Sequence, residues 1–267
     1  MAERNLLLRV ASALVGLPVL FAIVFWREHV GFALLALVVG TIGLHEFGQL
    51  TLGQHPARAR VVLIALGVGF GTAIYLQPDR AHLWALVAIL LLGLDVLSSA
   101  RDLPLATARL GMSIFGIVYV GALLVALPLL RRDYGAWWVM VVFVVTFAND
   151  TGAYFTGRAL GRHKLAPTIS PGKTIEGAVG GLLIGIVALL VQRAFFFPSL
   201  TIFDAVVVGT AAGVLGPAGD LTESMLKRAV GAKDSGRLIP GHGGVLDRID
   251  ALLFVGAYVF LHTRLFR

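Results

Sequence analysis

The chain of 267 residues contains no cysteine and little charge. Without cysteine it can form neither a disulfide framework nor a cysteine-based zinc site, and cysteine usage carries no information about the redox compartment. Charged residues make up 14% of the chain and hydrophobic residues 58%, and the mean hydropathy is +0.88. That balance lies well outside the range of soluble globular domains. The sequence is therefore that of an integral membrane protein.

The apolar residues are grouped in about nine runs, at 9–26, 30–44, 61–76, 82–97, 110–130, 136–157, 175–192, 201–217 and 249–265. We predict helices for all of them, because backbone groups in lipid must be satisfied internally and the runs are too long for barrel strands. No small-residue cleavage site follows the first run before Trp26, so we expect a retained first span rather than a removed signal. The prediction is a single all-α polytopic membrane domain over residues 1–267, with about nine transmembrane helices.

The basic residues indicate an orientation. With the N-terminus in the cytoplasm, only seven of the 22 lysines and arginines fall on the opposite side, which satisfies the positive-inside rule. These seven are Arg27, Arg80, Arg131, Arg132, Arg193, Arg264 and Arg267. Two charged loops, at about 149–176 and 218–250, then face the cytoplasm from a plasma membrane or cell inner membrane. The net charge of +7 fits either this topology rule alone or the binding of anionic lipid or nucleotide.

The first loop is rich in basic residues, hydroxyl groups and glycine. Gly172-Lys173-Thr174 resembles the end of a nucleotide-binding P-loop, but Pro167 stands where that motif requires its first glycine, and the surroundings are membrane helix, so we reject a P-loop. Lys173 and Arg162 can still neutralise phosphate oxygens, and a helix that starts near Thr174 can offer free N–H groups to an anion. The alternative is an ordinary cytoplasmic loop in which Thr174 only caps the helix.

Two features of the adjoining helices are informative. Gly177, Gly181 and Gly185 recur every four residues, a spacing that lets membrane helices approach closely and is compatible with a homodimer. Asn149-Asp150 ends a strongly apolar run, where an unpaired carboxylate is costly, so we expect a polar cavity there.

The second loop carries ten charged residues between Asp220 and Asp250. At mid-bilayer they would cost about 25 to 35 kcal/mol in total, so the segment must lie at or in water. Asp247 and Asp250 are three residues apart at a helix start, which places both carboxylates on one face. Hard oxygen ligands of this kind suit Mg²⁺, which takes one or two protein carboxylates and completes its shell with water and substrate phosphate. Together with Asp220 they predict a metal-phosphate site.

The alternative is that Asp220 and Asp247 are only helix N-caps, with Glu223 completing an approximate capping box. Neighbouring cations favour the metal-phosphate interpretation. They are Lys227, Arg228, Lys233 and Arg248. His242 can contact phosphate, transfer a proton or hydrogen-bond the loop, and its role is left open.

The second loop resembles the signature of the phosphatidate cytidylyltransferase family, also called CDP-diacylglycerol synthases. The matching positions are Ser224, Lys227-Arg228, Lys233-Asp234, Gly236, Pro240, His242-Gly243-Gly244, Asp247-Arg248 and Asp250. The segment DTGAYFTGRALGRHKLAPTISPGKTIEG, residues 150–177, is similar to the family's upstream segment, and the nine-span plan also fits. The resemblance is strong in the C-terminal half and rests on hydropathy alone in the N-terminal half. Gly172 departs from it, because a second basic residue is expected beside Lys173.

The resemblance implies transfer of a cytidylyl group from CTP to phosphatidate, giving CDP-diacylglycerol and pyrophosphate in phospholipid biosynthesis. It implies Mg²⁺ as cofactor, with a second metal as an option, and Asp220, Asp247 and Asp250 as the metal ligands. Catalytic roles are expected for these aspartates and for Lys233. Substrate binding is expected of Lys173, Ser224, Lys227, Arg228, His242 and Arg248. Phosphatidate would enter sideways from the inner leaflet, and no nucleic-acid partner is expected.

Two other functions are left open. A CTP-dependent polyprenol kinase would also need metal, basic residues and membrane helices, but it would move the γ-phosphoryl group and release CDP. A transporter would use intramembrane carboxylates such as Glu46, Asp95 and Asp150 and would show flux without converting CTP. Its charges are expected near mid-span, whereas the densest cluster here lies in a predicted loop.

Overall fold

The computed structural model describes Leu14, residues 16–236, Leu238 and residues 243–267. In this part of the chain eight helical segments are long and apolar enough to cross a membrane, which confirms the predicted all-α polytopic membrane fold. They comprise α2 (Val30–Thr51), α3 (Ala57–Leu76), α4 (Ala81–Ser99, preceded by the 3-10 turn Pro78–Arg80), α5 to α6 (Leu103–Gly116 and Leu123–Tyr134, joined by the π-helical stretch Ile117–Ala122), α7 (Ala136–Leu160), α8 (Ile175–Phe195), α9 (Ile202–Ala229) and α10 (Leu246–Phe266). A shorter apolar helix, α1 (Gly16–Phe25), covers part of the first predicted run.

The two charged segments are more structured than the sequence predicts. The first, expected as a loop over about 149–176, begins inside α7 and continues as an antiparallel hairpin of β1 (Lys164–Ala166) and β2 (Ser170–Thr174). In the second, expected over about 218–250, α9 continues to Ala229 and α10 begins at Leu246. Hydropathy misplaces these boundaries because the helices continue past their apolar runs as polar turns. It indicates which residues favour lipid or water, not where a helix ends.

The chain forms two compact units, and the first comprises Met1–Leu129 and Val230–Asp247. Its helices approach closely at glycine, since a Cβ on Gly71 would lie 2.6 Å from the carbonyl oxygen of Gly121, which leaves no room for a side chain. The charge within the apolar run of α4 is paired: Asp95 is buried and forms ion pairs with Arg109 and, at 2.7 Å, with Arg58. A paired carboxylate of this kind satisfies the requirement that a charge in an apolar setting has a partner.

The second unit comprises Leu130–Ala229 and Arg248–Arg267. The glycines of α8 face α7 in this unit: a Cβ on Gly181 would lie 2.6 Å from the carbonyl oxygen of Asn149, and one on Gly177 would lie 2.8 Å from that of Ala153. The prediction that the glycine spacing serves close helix packing is thus confirmed. Because the partner helix belongs to the same chain, the spacing no longer supports a homodimer.

A buried carboxylate in the second unit connects the start of α9 to the end of α10. Asp204, near the start of α9, is 2% exposed. Its Oδ1 lies 2.9 Å from His262 Nε2, and its Oδ2 accepts hydrogen bonds from the backbone N–H and hydroxyl of Thr201 and from Arg267. These contacts hold the last turns of α10 against the beginning of α9.

Candidate active site

A cavity of about 600 Å³ lies within the second unit, where the polar end of α7 meets the hairpin, α8 and α9. Its charged lining residues are Asp150, Arg158, Lys173 and Asp220. The remaining lining residues are Ala153, Tyr154, Gly157, Leu165, Ser170, Gly172, Thr174, Gly177, Ala178 and Pro217. The volume falls in the range of small-molecule binding sites. The charged residues in its lining confirm the polar cavity that the sequence predicts beside Asp150.

Lys173 reaches into this cavity from β2. Its Nζ lies 2.8 Å from Oδ2 of Asp220 on α9, and the two side chains are 24% and 39% exposed. The hairpin that carries Lys173 is fixed by α8: Glu176 accepts hydrogen bonds from the backbone N–H groups of Arg162 and His163 and lies 2.6 Å from His163 Nδ1. Thr174 Oγ1 caps α8 by accepting the N–H of Gly177 at 3.1 Å. Thr174 thus caps α8, as one interpretation of the first loop predicts, while Lys173 and Thr174 also line the cavity. The binding of phosphate by Lys173 and Arg162 stays a prediction.

Three carboxylates lie close together in the second unit. Asp150 and Asp250 each interact electrostatically with Asp220 and with one another. Asp220 Oδ1 also accepts the hydroxyl of the buried Ser224 at 3.1 Å, which orients the carboxylate. Carboxylates that interact electrostatically in this way repel one another unless cations lie between or beside them. The cluster is therefore suited to holding positive charge.

Three of the predicted cations, Lys227, Arg228 and Arg248, lie in the second unit. Lys227 is buried and pairs with Glu223 at 2.7 Å, and it also interacts electrostatically with Asp250. Arg228 is exposed and donates its Nε–H to the carbonyl of Ile169 in the hairpin turn at 3.3 Å. Arg248 is exposed and interacts electrostatically with Asp150. Lys227 and Arg228 thus have protein partners that the sequence does not predict.

Asp247 belongs to the first unit and closes the loop that precedes α10. Its Oδ2 accepts hydrogen bonds from Ser235 N at 3.0 Å, Ser235 Oγ at 2.9 Å and Gly244 N at 2.8 Å. These donors lie outside α10, and Asp220 lies well inside α9. The N-cap alternative is therefore wrong for both aspartates.

Two further predicted residues lie in or beside this loop. Lys233 is exposed in the first unit. His242 lies outside the described residues, so its role stays open. Two residues have contacts that the sequence does not predict. Arg158 lines the cavity and donates to the Tyr154 hydroxyl at 3.1 Å. Glu46, named above only for the transporter alternative, accepts the N–H of Leu246 at the start of α10. A charged residue at the end of an apolar run is the signal for Arg158, whereas Glu46 gives no signal beyond its rarity in such a run.

The fit of a divalent metal rests on the donor set. Within residues 16–236, 238 and 243–267, no group of three or more histidine or acidic side chains is arranged to hold a metal ion. Mg²⁺ does not need such a group, because it uses one or two carboxylates together with water and substrate phosphate. Asp220 and Asp150 line the cavity, and Asp250 interacts electrostatically with both, so these carboxylates provide hard oxygen donors of that kind. The residues present fit a metal that the substrate phosphates complete.

Comparison with known proteins agrees with this chemistry. The family model described as the cytidylyltransferase family matches residues 7–266. The chain is 36% identical to the phosphatidate cytidylyltransferase of Brucella suis biovar 1 (strain 1330) over 270 residues, which cover 98% of this chain and 94% of that protein. It is 38% identical over 203 residues to the protein of the same name from Staphylococcus saprophyticus subsp. saprophyticus, which cover 73% of this chain and 75% of that protein. It is 41% identical over 169 residues to that of Staphylococcus haemolyticus, which cover 63% of this chain and 64% of that protein. The chain belongs to the cytidylyltransferase family.

Proposed function

We propose that this membrane protein transfers the cytidylyl group of CTP to phosphatidate, giving CDP-diacylglycerol and pyrophosphate, and that its site faces the cytoplasm. The observation that carries the proposal is a cavity among membrane helices that is lined by Asp150, Asp220 and Lys173, with Asp250 interacting electrostatically with both aspartates. The names of the relatives specify the reaction, and the positive-inside distribution of lysine and arginine supports the orientation.

CTP is the ligand whose charges this site balances. Lys173, Arg158 and Arg248 bring positive charge to the cavity side, and we assign them to the phosphate oxygens. Asp220 and Asp250 are assigned to Mg²⁺, with Asp150 as a third carboxylate. Asp247 as a metal ligand and Lys233, Ser224, Lys227, Arg228 and His242 as substrate-binding or catalytic residues stay predictions. Ser224 acts on Asp220 rather than on substrate in the geometry observed.

The chemistry asks for positioning and charge neutralisation. A phosphate oxygen of phosphatidate attacks the α-phosphorus of CTP, the bond from that phosphorus to the oxygen bridging to the β-phosphorus breaks, and pyrophosphate leaves. When bound, the metal supplies neutralisation of the charge that builds on the leaving phosphates. Lys173 holds a phosphate oxygen in line, and no covalent intermediate on the protein is required.

The lipid substrate reaches the cavity through the membrane. Tyr154 and Leu165 line the cavity, and Tyr154, Phe155 and Leu160 along the end of α7 are 59%, 62% and 64% exposed. Such large exposed apolar and aromatic side chains are at home against acyl chains and at the membrane interface. The phosphatidate headgroup can thus enter the site while its acyl chains stay in lipid.

Product identity tests the proposal. The purified protein in detergent is incubated with phosphatidate, Mg²⁺ and CTP labelled at either the α- or the γ-phosphorus. Label from the α-position is expected in a lipid that co-migrates with CDP-diacylglycerol, and label from the γ-position is expected in pyrophosphate. A γ-labelled lipid together with CDP would establish a lipid kinase instead, and intact CTP together with ion flux into sealed vesicles that contain the same purified protein would establish a transporter.

A further inference from the structure

Glu46 is a buried carboxylate in the middle of the first unit. It lies on the largely apolar helix α2 and is 3% exposed. A carboxylate buried to that degree requires hydrogen-bond donors. Its donors come from the segment that leads into α10, about 200 residues further along the chain.

The contacts of Glu46 are with the backbone at the start of α10. Oε1 accepts the N–H of Val245 at 3.1 Å, and Oε2 accepts the N–H of Leu246 at 2.8 Å. The first N–H groups of a helix have no partner within the helix and need an external acceptor. A carboxylate also suits the positive end of the helix dipole. Glu46 therefore accepts hydrogen bonds from backbone N–H groups at the start of α10 from its position on α2.

Two glycines of the loop are required by this contact. A Cβ on Gly236 would overlap the Glu46 carboxylate, and a Cβ on Gly244 would lie 2.6 Å from Glu46 Oε2 and overlap Ser235 Oγ. Gly236 and Gly244 thus both lie against the Glu46 side chain. This explains in physical terms why the loop carries glycine at positions 236 and 244.

Ser235 connects Glu46 to Asp247. Its hydroxyl lies 3.3 Å from Glu46 Oε2 and 2.9 Å from Asp247 Oδ2, and its Oγ accepts the N–H of Asp247 at 3.3 Å. The hydroxyl proton can serve only one carboxylate at a time, so the three side chains form a chain of contacts rather than independent pairs.

We propose that Glu46 is a positioning residue that fixes the start of α10, and with it the orientation of Asp247. The proposal rests on the proposed function for its kinetic consequence but not for its structural one. In this role Glu46 acts through the backbone N–H groups of Val245 and Leu246 and through Ser235.

The test uses the full-length Glu46→Gln variant in detergent. A glutamine keeps the size of the side chain but turns an N–H₂ group toward backbone N–H donors, so at least one contact is lost. Hydrogen exchange followed by mass spectrometry is expected to show amides of residues 243–247 exchanging about tenfold faster or more, with α2 and α3 unchanged. In the synthesis of CDP-diacylglycerol, kcat is expected to fall by about tenfold or more with KM for CTP within about twofold, because misplaced groups reduce turnover rather than nucleotide affinity.

The matched control is Asp95→Asn, since Asp95 is the second buried carboxylate of the same unit, is 7% exposed and pairs with Arg109 and Arg58. It is expected to lower the melting temperature without faster exchange at 243–247. Ser235→Ala serves as a second variant if Glu46→Gln does not fold, and it is expected to produce the same local change with a smaller amplitude.

Unchanged exchange at 243–247 in Glu46→Gln, or equally raised exchange throughout the first unit, would overturn the positioning role. Failure of the proposed function is distinguishable, because a wild-type protein that makes no CDP-diacylglycerol leaves the exchange measurement intact.

Discussion

Replacing Lys173 by methionine tests the role of this residue in catalysis separately from its contribution to the stability of the protein. The variant keeps most of the length of the side chain and removes its charge. The ion pair with Asp220 joins partly exposed side chains, so its loss costs about 1 kcal/mol of stability or less. For a chain of this size that amounts to a fall of about 2–4 °C in the melting temperature.

The effect on catalysis should be much larger. A hydrogen bond from an ammonium group to a phosphate oxygen is worth about 1.5–3 kcal/mol. At about 1.4 kcal/mol per factor of ten, its loss lowers kcat/KM by roughly 10- to 150-fold. The assay measures kcat/KM for CTP at saturating phosphatidate, beside thermal unfolding in the same detergent.

Lys164→Met is the control, because Lys164 lies in β1 of the same hairpin, is exposed and does not line the cavity. It is expected to keep kcat/KM within about twofold of the wild-type value. The assignment of Lys173 to the substrate phosphates would be refuted by near-normal kcat/KM in Lys173→Met, or by an equal loss in the control.

Three further variants probe other parts of the structure. Asp220→Asn should lower kcat by about 100-fold or more with little change in melting temperature, and near-normal turnover would remove Asp220 from the metal site. Gly181→Ala should destabilise the protein by about 1–3 kcal/mol because its Cβ meets the Asn149 carbonyl, whereas Gly93→Ala, with open space around it, should not; equal melting temperatures would argue against the packing described. Asp204→Asn should cost about 3–5 kcal/mol because it removes a buried charge that contacts the buried His262 and pairs with Arg267, and an unchanged melting temperature would count against that network.

Hydropathy was sufficient to predict the membrane helices, because lipid requires long apolar segments whatever their tertiary contacts. It could not predict the hairpin, since β1 and β2 are short, polar and held by contacts to Glu176 that depend on tertiary structure. The glycine spacing of α8 predicted close packing correctly but not its partner. Spacing describes one helix surface, and the same surface can pack on another copy or on α7.

The candidate site was predicted in part. Lys173 and Asp220 come from different predicted loops, and the structure brings their side chains to 2.8 Å from one another. Asp150 was predicted to face a polar cavity, but its place beside Asp220 and Asp250 depends on how α7, α9 and α10 pack. The contact of Glu46 with backbone about 200 residues away could not be predicted, because nothing in the sequence of α2 indicates it. Residues that act through the backbone leave little trace in a single sequence.

The reaction proposed for the acidic cavity converts CTP and phosphatidate into CDP-diacylglycerol and pyrophosphate. Its most direct test compares the purified wild-type protein with folded Asp220→Asn, by measuring pyrophosphate and α-labelled lipid in the same reaction. The wild-type protein is expected to release one pyrophosphate for each CDP-lipid formed, only when phosphatidate is present, and Asp220→Asn is expected to form neither at a comparable rate. Equal rates in the two proteins, or pyrophosphate release that does not depend on phosphatidate, would contradict the claim.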